Sequence, residues 1–266
     1  MPNYRLTAVN VGAFSLGESD RVLTLFSAER GLVRAVAKGA RKPGAKIAGR
    51  AEVLNVNSLI MATGRSFDII TQAEQIESFP KLRQDLLRLS YGLYYAELTA
   101  QFGQGLTEES NIFFQYLRDA LRLQAESDRQ PALLCLDFEL KMLEFLGYKP
   151  ELNFCVACRE ALTDFSVAAF DHDSGGVLCQ KCFAPVRRHY VAETSSEFDS
   201  QSSSLKTHIT PLVWQSLVLA SRETEMKGGH LSANIARAHA AGCRLIQTYI
   251  EHKAGRKMKA LDLIKA

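Results

Sequence analysis

Four cysteines constrain this chain more than any other feature. They stand as Cys155-x2-Cys158, twenty residues, then Cys179-x2-Cys182. Each C-x-x-C forms a tight knuckle that presents two sulfurs to one ion. The intervening Phe165–Phe170 and Val177–Leu178 can pair as a hairpin around Asp171–Gly176, which brings the two knuckles together. Four thiolates make the closed tetrahedral site expected of structural zinc, with no position left for a reactive water. Residues 151–190 are too few to bury a core of their own. Metal binding, worth roughly 10–16 kcal/mol in small zinc peptides, would supply the missing free energy. The opposing reading is a pair of vestigial knuckles or redox thiols. Cys135 and Cys243 stand alone in apolar helical patterns and read as buried small hydrophobes.

Charge is concentrated near the amino end. The formal net charge is +3, and residues 1–80 hold ten basic and seven acidic side chains, while residues 81–266 hold 22 of each. Residues 31–50 carry six cations and no acid: Arg34, Lys38, Arg41, Lys42, Lys46 and Arg50. Such a block is an electrostatic footprint for a polyanion. A solvated charged face is the bland alternative, and the absence of any interleaved acid argues against it. Arg21 and Arg30 flank a predicted strand; each either extends the basic surface or pairs with Glu18 or Glu29.

The surrounding pattern is that of short strands. Tyr4–Phe14, Asp20–Ala28, Leu32–Lys38, Val53–Ala62 and Phe67–Ala73 are rich in strand-forming residues, with a hairpin-like turn at Thr63-Gly64-Arg65. Five short strands without a long helix predict a small closed barrel. The five-stranded OB-fold leads, and an SH3-like barrel is the alternative. Alternation in the third strand turns Val33, Ala35 and Ala37 inward and Arg34, Val36 and Lys38 outward, just before the loop Gly39–Lys46. Cations on a glycine-rich loop can follow a phosphate chain without fixing sequence, with an affinity that falls steeply in salt. Tyr4, Phe14, Phe26 and Phe67 are candidate base-stacking rings, although each taken singly reads first as barrel core.

From Pro80 the period becomes helical. Leu82, Leu86, Leu89, Leu93 and Ala96 recur on one stripe, and Ile112–Leu123 and Pro131–Leu146 follow, the latter closed by Gly147. Thr210-Pro211 starts another helix, and Ser232 is the expected cap of the last long one. The expected fold class is therefore α+β: an OB-fold barrel over 1–80, helices over 81–150, and an embedded four-cysteine zinc-ribbon-like module over 151–190. A serine-rich linker over 191–208, a second set of helices over 209–254 and a basic, frayed tail over 255–266 complete it.

No apolar run is long enough to span a membrane, and the first residues lack the pattern of a signal peptide, so a cytoplasmic location is expected. No G-x-x-x-x-G-K-[ST] occurs, and no H-x-E precedes a P-C-x-x-C, so neither nucleotide hydrolysis nor deaminase chemistry is expected. The six histidines are scattered, which disfavours a nuclease. A zinc-ribbon RNA-binding or transcription-associated factor would share the barrel, the cations and the zinc.

The stretch Gly17-Glu18-Ser19-Asp20-Arg21 with Leu23-Thr24-Leu25-Phe26, then Gly31-Leu32 and Ala35-Val36-Ala37-Lys38-Gly39-Ala40-Arg41, resembles the N-terminal domain of the RecO family of bacterial recombination mediators. The helical middle and the cysteine pairs fit the same family, although not every member keeps the cysteines. The resemblance implies an OB-fold, a helical domain and an embedded zinc module. It implies binding to single- and double-stranded DNA, and annealing of complementary strands. It also implies partnership with RecR and with single-stranded-DNA-binding protein, helping RecA load onto coated strands in a nucleoid-associated, cytoplasmic setting. The acidic, apolar-ended tail of single-stranded-DNA-binding protein would need cations beside apolar residues, as at Arg118 and Arg122, a pair that ordinary helix solvation explains equally well.

Overall fold

The computed structural model describes residues 3–183, 205–221 and 233–265. The chain divides into two compact units, Met1–Gly147 with Ala254–Ala266, and Tyr148–Lys253.

The first unit opens with a closed barrel. Its strands are β1 (Asn3–Leu16), β2 (Asp20–Ser27), β3 (Gly31–Ala37), β4 (Val56–Ala62) and β5 (Asp68–Glu77), with a short helix α1 (Lys46–Arg50) between β3 and β4. The strand order is β1-β2-β3-β5-β4, and closure is made by a parallel pairing of β3 with β5 at Ala35↔Asp68 and Val36↔Ile69. That order, with a helix before the fourth strand, is the OB-fold and not the SH3-like alternative. Leu6, Ala8, Leu23, Leu25, Ala35, Ala37, Leu59, Met61 and Ile70 fill the interior, as two-residue alternation requires. Val33 packs against the same cluster, while Arg34 and Lys38 are exposed. In the turn between β4 and β5, a Cβ on Gly64 would lie 1.9 Å from the Phe67 carbonyl oxygen, so only glycine fits.

The strand and loop boundaries differ from expectation at three places. β4 begins at Val56 rather than Val53, because Leu54 takes a left-handed φ of 76°. β5 continues to Glu77, since Val56 and Asn57 of β4 still pair with Glu77 and Gln75. Lys46–Arg50, expected as loop and its sequel, is helical.

Helices α2 (Pro80–Gln84), α3 (Leu86–Phe102), α4 (Ser110–Glu126) and α5 (Pro131–Phe145) follow, with a 3-10 turn at Gly103–Leu106. The Asp85 carboxylate accepts from the Arg88 backbone N–H and caps α3. The stripe expected to be buried begins too early: Leu86 is 78% exposed, because α3 starts only after the extended Asp85. Farther along, α3 packs on α2, α4, α5, β1 and β2, and Tyr91, Tyr94, Tyr95 and Leu98 are among its buried residues. Tyr95 stacks on Phe138 of α5 at 4.0 Å, and its hydroxyl donates to Gln124 Oε1 of α4 at 3.1 Å.

The second unit holds β6 (Val167–Asp171), β7 (Gly176–Cys179), α6 (Gln180–Phe183), β8 (Lys206–His208), α7 (Pro211–Ser221) and α8 (Ala233–Ala254). The expected hairpin is present as β6–β7, and β8 adds a third strand beside β6. The last residues of the segment expected as a linker are thus a strand; residues 184–204, and Ser232, lie outside the described residues. A Cβ on Gly176 would lie 2.6 Å from the Glu151 carbonyl oxygen, so glycine allows the chain before the first knuckle to lie against the hairpin. Trp214 Nε1 of α7 donates to the Leu152 carbonyl at 2.7 Å, and Phe170 meets Tyr249 of α8 edge-on at 5.3 Å. Cys135 and Cys243 are buried, as expected. No helix among the described residues is long and apolar enough to cross a membrane.

The basic end, expected to fray, is docked. Helix α9 (Ala260–Lys265) lies on α3 in the first unit, with Met258 and Leu261 each 1% exposed. The Glu97 carboxylate accepts from the Lys259 and Ala260 backbone N–H groups at 3.0 and 2.8 Å, and Arg256 reaches it at 3.5 Å. A carboxylate on the first N–H groups of a helix is a cap supplied by another element. Replacing Glu97 with Gln is expected to cost about 1 kcal/mol, lowering the melting temperature by a few degrees and making the last ten or so residues easier to cleave. An unchanged melting temperature and cleavage pattern would show that the cap contributes nothing.

Candidate nucleic-acid interface and metal centre

Cross-strand register places the cations. Gly12, Thr24 and Arg34 form one row across β1, β2 and β3, and Phe14, Val22 and Val36 form the next. Both rows point out of the barrel, because the neighbouring Leu23 and Ala35 point in. Arg34 therefore stands on the same outer face as Phe14, which is 50% exposed and lies one row along and two strands away on β1, and Lys38 leaves the end of β3 one row farther on.

The segment after β3 continues the charge. Gly39 N–H donates to Asp20 Oδ1 at 2.8 Å, and Arg41 N–H donates to the Ser19 carbonyl at 2.9 Å. These bonds tie the start of the loop to the β1–β2 turn. The Gly39 N–H and the Ser19 hydroxyl, helped by the charges of Lys38 and Lys42, hold the Asp20 carboxyl below its ordinary range. Arg34, Lys38, Arg41, Lys42 and Lys46 are exposed and form no ion pair among the described residues. Arg41 Nη1 donates to the Gly17 carbonyl at 2.9 Å, which fixes its direction.

The other two predicted cations differ. Arg21 is half-buried and pairs with Glu52 at 2.8 Å, not with Glu18 or Glu29. Arg50 is half-buried and its Nη1 donates to the Lys46 carbonyl at 2.9 Å, so it braces α1. Five of the seven predicted side chains are thus exposed: Arg34 on the outer face of β3, and Lys38, Arg41, Lys42 and Lys46 along the segment from the end of β3 to the start of α1. Arg30 lies 3.7 Å above the Tyr4 ring, and the Tyr4 hydroxyl donates to Asp68; burial and that carboxylate push the hydroxyl up to about 12. Phe26 is core, edge-on to Phe113 of α4 at 5.3 Å. Phe67 is half-buried, which leaves Phe14 as the most open of the four rings.

Arg118 and Arg122 are already neutralised. Arg122 grips Glu77 through Nε and Nη2 at 3.0 and 2.9 Å and pairs with Asp119, while Arg118 lies 3.8 Å from Glu77. Both fasten α4 to the end of β5. A separate group that spacing could not reveal is Asn10, Asn55 and Asn57, buried and aimed at the backbone of α1. Asparagine near strand ends signals a turn in a one-dimensional reading, and only the closed barrel shows where these amides point.

In the second unit, the four sulfurs of Cys155, Cys158, Cys179 and Cys182 lie within 4.8 Å of one another and could hold a metal ion. Cys158 Sγ and Cys179 Sγ are 3.8 Å apart. Sulfurs at about 2.3 Å from a tetrahedral ion stand about 3.8 Å from each other, so the spacing fits a zinc-sized ion. Burial pushes the Cys155 thiol up, but the N–H groups of Cys158, Cys179 and Ala157 outweigh it and draw the thiol down to about 6. The crowded sulfurs of Cys158 and Cys179 push Cys182 up to about 12. Four thiolates cannot coexist there without a cation; a bound dication reverses that balance. Asp171 and Asp173 bracket His172 in the hairpin turn, but Asp173 pairs with His252 at 2.7 Å. Burial, with His252 beside it, lowers His172 to about 4. Among the described residues, the cysteines are the one group of three or more ligand side chains close enough to share an ion.

The first unit is thus an OB-fold with exposed cations followed by a helical bundle, and the second carries four clustered thiols. Residues 1–79 match the family described as Recombination protein O N terminal, and residues 83–262 match Recombination protein O C terminal. The chain belongs to that family. Similar proteins include DNA repair protein RecO of Gloeobacter violaceus, 38% identical over 184 residues, covering 69% of this chain and 70% of the relative. RecO of Symbiobacterium thermophilum is 35% identical over 184 residues, covering 68% and 72%. RecO of a Synechococcus strain is 29% identical over 271 residues, covering 98% and 88%.

If the four cysteines hold an ion, a strong chelator is expected to unmask four titratable thiols and to lower the melting temperature. Four thiols that titrate freely before chelation would contradict a metal centre.

Proposed function

We propose that this protein is a DNA-binding recombination mediator in repair. It binds single- and double-stranded DNA and anneals complementary strands. With RecR, it helps RecA load onto strands coated by single-stranded-DNA-binding protein. It does so without hydrolysing nucleotides. The observation that carries the reading is the run of exposed cations Arg34, Lys38, Arg41, Lys42 and Lys46, with Phe14 exposed on the same outer face. Arg21 and Arg50 contribute at its margin. Cations that gather phosphates release counterions, and this sequence-independent gain lets a protein bring two repelling strands together. Phe14 offers a ring to unpaired bases, which duplex DNA keeps stacked inside.

Zinc is the proposed ion of the Cys155, Cys158, Cys179 and Cys182 site, in a structural role. Four sulfurs close its coordination, so it braces the hairpin without activating water.

Reversing the charge of Arg34, Lys38, Arg41 and Lys42 together tests the reading. Affinity for an oligothymidine should fall at least a hundredfold at low salt. The slope of log K against log salt should become shallower by roughly 0.7 for each phosphate no longer neutralised. A folded variant with unchanged affinity and slope would refute it.

A further inference from the structure

Helix α1 is too short to hold itself. It has five residues, no side-chain cap at its start, and no fully buried residue. Isolated helices of this length do not persist in water. Its apolar attachment is limited to Ile47, packed against the barrel interior, and Ala51, its C-cap residue. Yet it carries Lys46 and Arg50, and it anchors the far end of the loop that bears Arg41 and Lys42.

Three buried amides do the holding. Asn10 and Asn57 continue the inward-facing rows of β1 and β4, at the end of the barrel that α1 closes. Asn10 Nδ2 donates to the carbonyls of Arg50 at 2.7 Å and Glu52 at 2.9 Å. Asn57 Nδ2 donates to the same Arg50 carbonyl at 3.0 Å, and Asn55 Nδ2 to that of Gly49 at 2.7 Å. These are the last carbonyls of α1 and the turn after it: Gly49 and Glu52 also accept long backbone bonds, from Glu52 and Asn55 N–H at 3.4 Å, whereas the Arg50 carbonyl is held by Asn10 and Asn57. Two backbone bonds lock the reverse direction: Asn10 N–H to the Asn55 carbonyl at 2.9 Å, and Leu54 N–H to the Asn10 carbonyl at 2.8 Å. Leu54 holds a left-handed φ of 76° between them. Asn10 and Asn57 are 0% exposed, and Asn57 Oδ1 has no hydrogen-bond partner among the described residues. A barrel end selected for stability alone would bury apolar side chains there, because buried amides cost free energy unless every group is paired.

We propose that Asn10, Asn55 and Asn57 are positioning residues for DNA. They clamp the backbone of α1 so that Arg41, Lys42 and Lys46 meet the phosphates already aligned, and binding does not have to order the segment. The inference rests on the DNA-binding reading above. Pre-ordering raises affinity without adding a charge, whereas the number of phosphates neutralised sets the salt slope. The two contributions therefore separate.

The test uses the full chain and a fluorescent oligothymidine, below the melting temperature. Asn55→Ala removes one clamp bond and leaves those of Asn10 and Asn57 intact; Asn10→Ala removes two, together with the bond that Asn57 Nδ2 donates to Asn10 Oδ1 at 3.3 Å. Affinity is expected to fall about tenfold with the salt slope unchanged, and backbone amides over residues 46–54 should exchange faster with deuterium. Lys42→Ala and Lys46→Ala should instead make the slope shallower. If Asn10→Ala does not fold, Asn55→Ala decides. Asparagine variants with faster exchange or lower melting temperature but unchanged affinity would overturn the clamp, showing it to be architecture only. Should the lysine variants also leave affinity and slope unchanged, the DNA site itself would be wrong.

Discussion

Strand β2 is buried on both faces, and the rest of the first unit follows from that constraint. Leu23 and Leu25 fill the barrel, while Val22 and Phe26 are fully buried on the other side. Each such side chain contributes roughly 1.5–3 kcal/mol when removed from water, so helices must cover part of the outer surface. α3 lies on β1 and β2, and α4 on β1, β2 and β3. The cations from Arg34 to Lys46 lie where the helices leave the barrel open: on β3, in the segment after it, and at the start of α1. The outer face of β5 is also open to solvent and carries no cation, so sequence as well as packing places the basic edge.

The second unit solves a different problem. Its three-stranded sheet is small, and its strands β6 and β7 are buried throughout. Such a sheet is marginal without a partner. α7 and α8 supply part of one, through Trp214 and Tyr249. An ion held by the four sulfurs would supply the rest, tying the knuckle at Cys155 to the end of β7. Backbone N–H groups aimed at Cys155 Sγ, from Cys179 at 3.3 Å, prepare that sulfur to be a thiolate before any ion arrives.

The barrel is legible in the sequence because alternation in β2 and β3 writes the inward face directly, and the knuckles are legible because two C-x-x-C pairs flanking a hairpin bring four sulfurs together. What escapes does so for physical reasons. A five-residue helix has no periodicity to detect, so α1 reads as loop. Leu86 keeps the helical stripe in sequence but stands before the first packed turn. Arg118 and Arg122 read as an open cationic pair, since nothing local reveals that Glu77, about forty residues earlier, folds onto them. Met258 and Leu261 are hidden by the lysines around them, and their burial depends on a carboxylate at Glu97. In each of the last two cases the deciding partner is distant along the chain.

Which surface meets DNA is the central claim. Photo-cross-linking of an oligonucleotide carrying halogenated uracils, followed by peptide mapping, reads that meeting without altering the protein. Adducts are predicted on β1 and β3 and on the segment through α1, with Phe14 among the modified residues. Adducts confined to residues 148–253, leaving the barrel edge unlabelled, would contradict it.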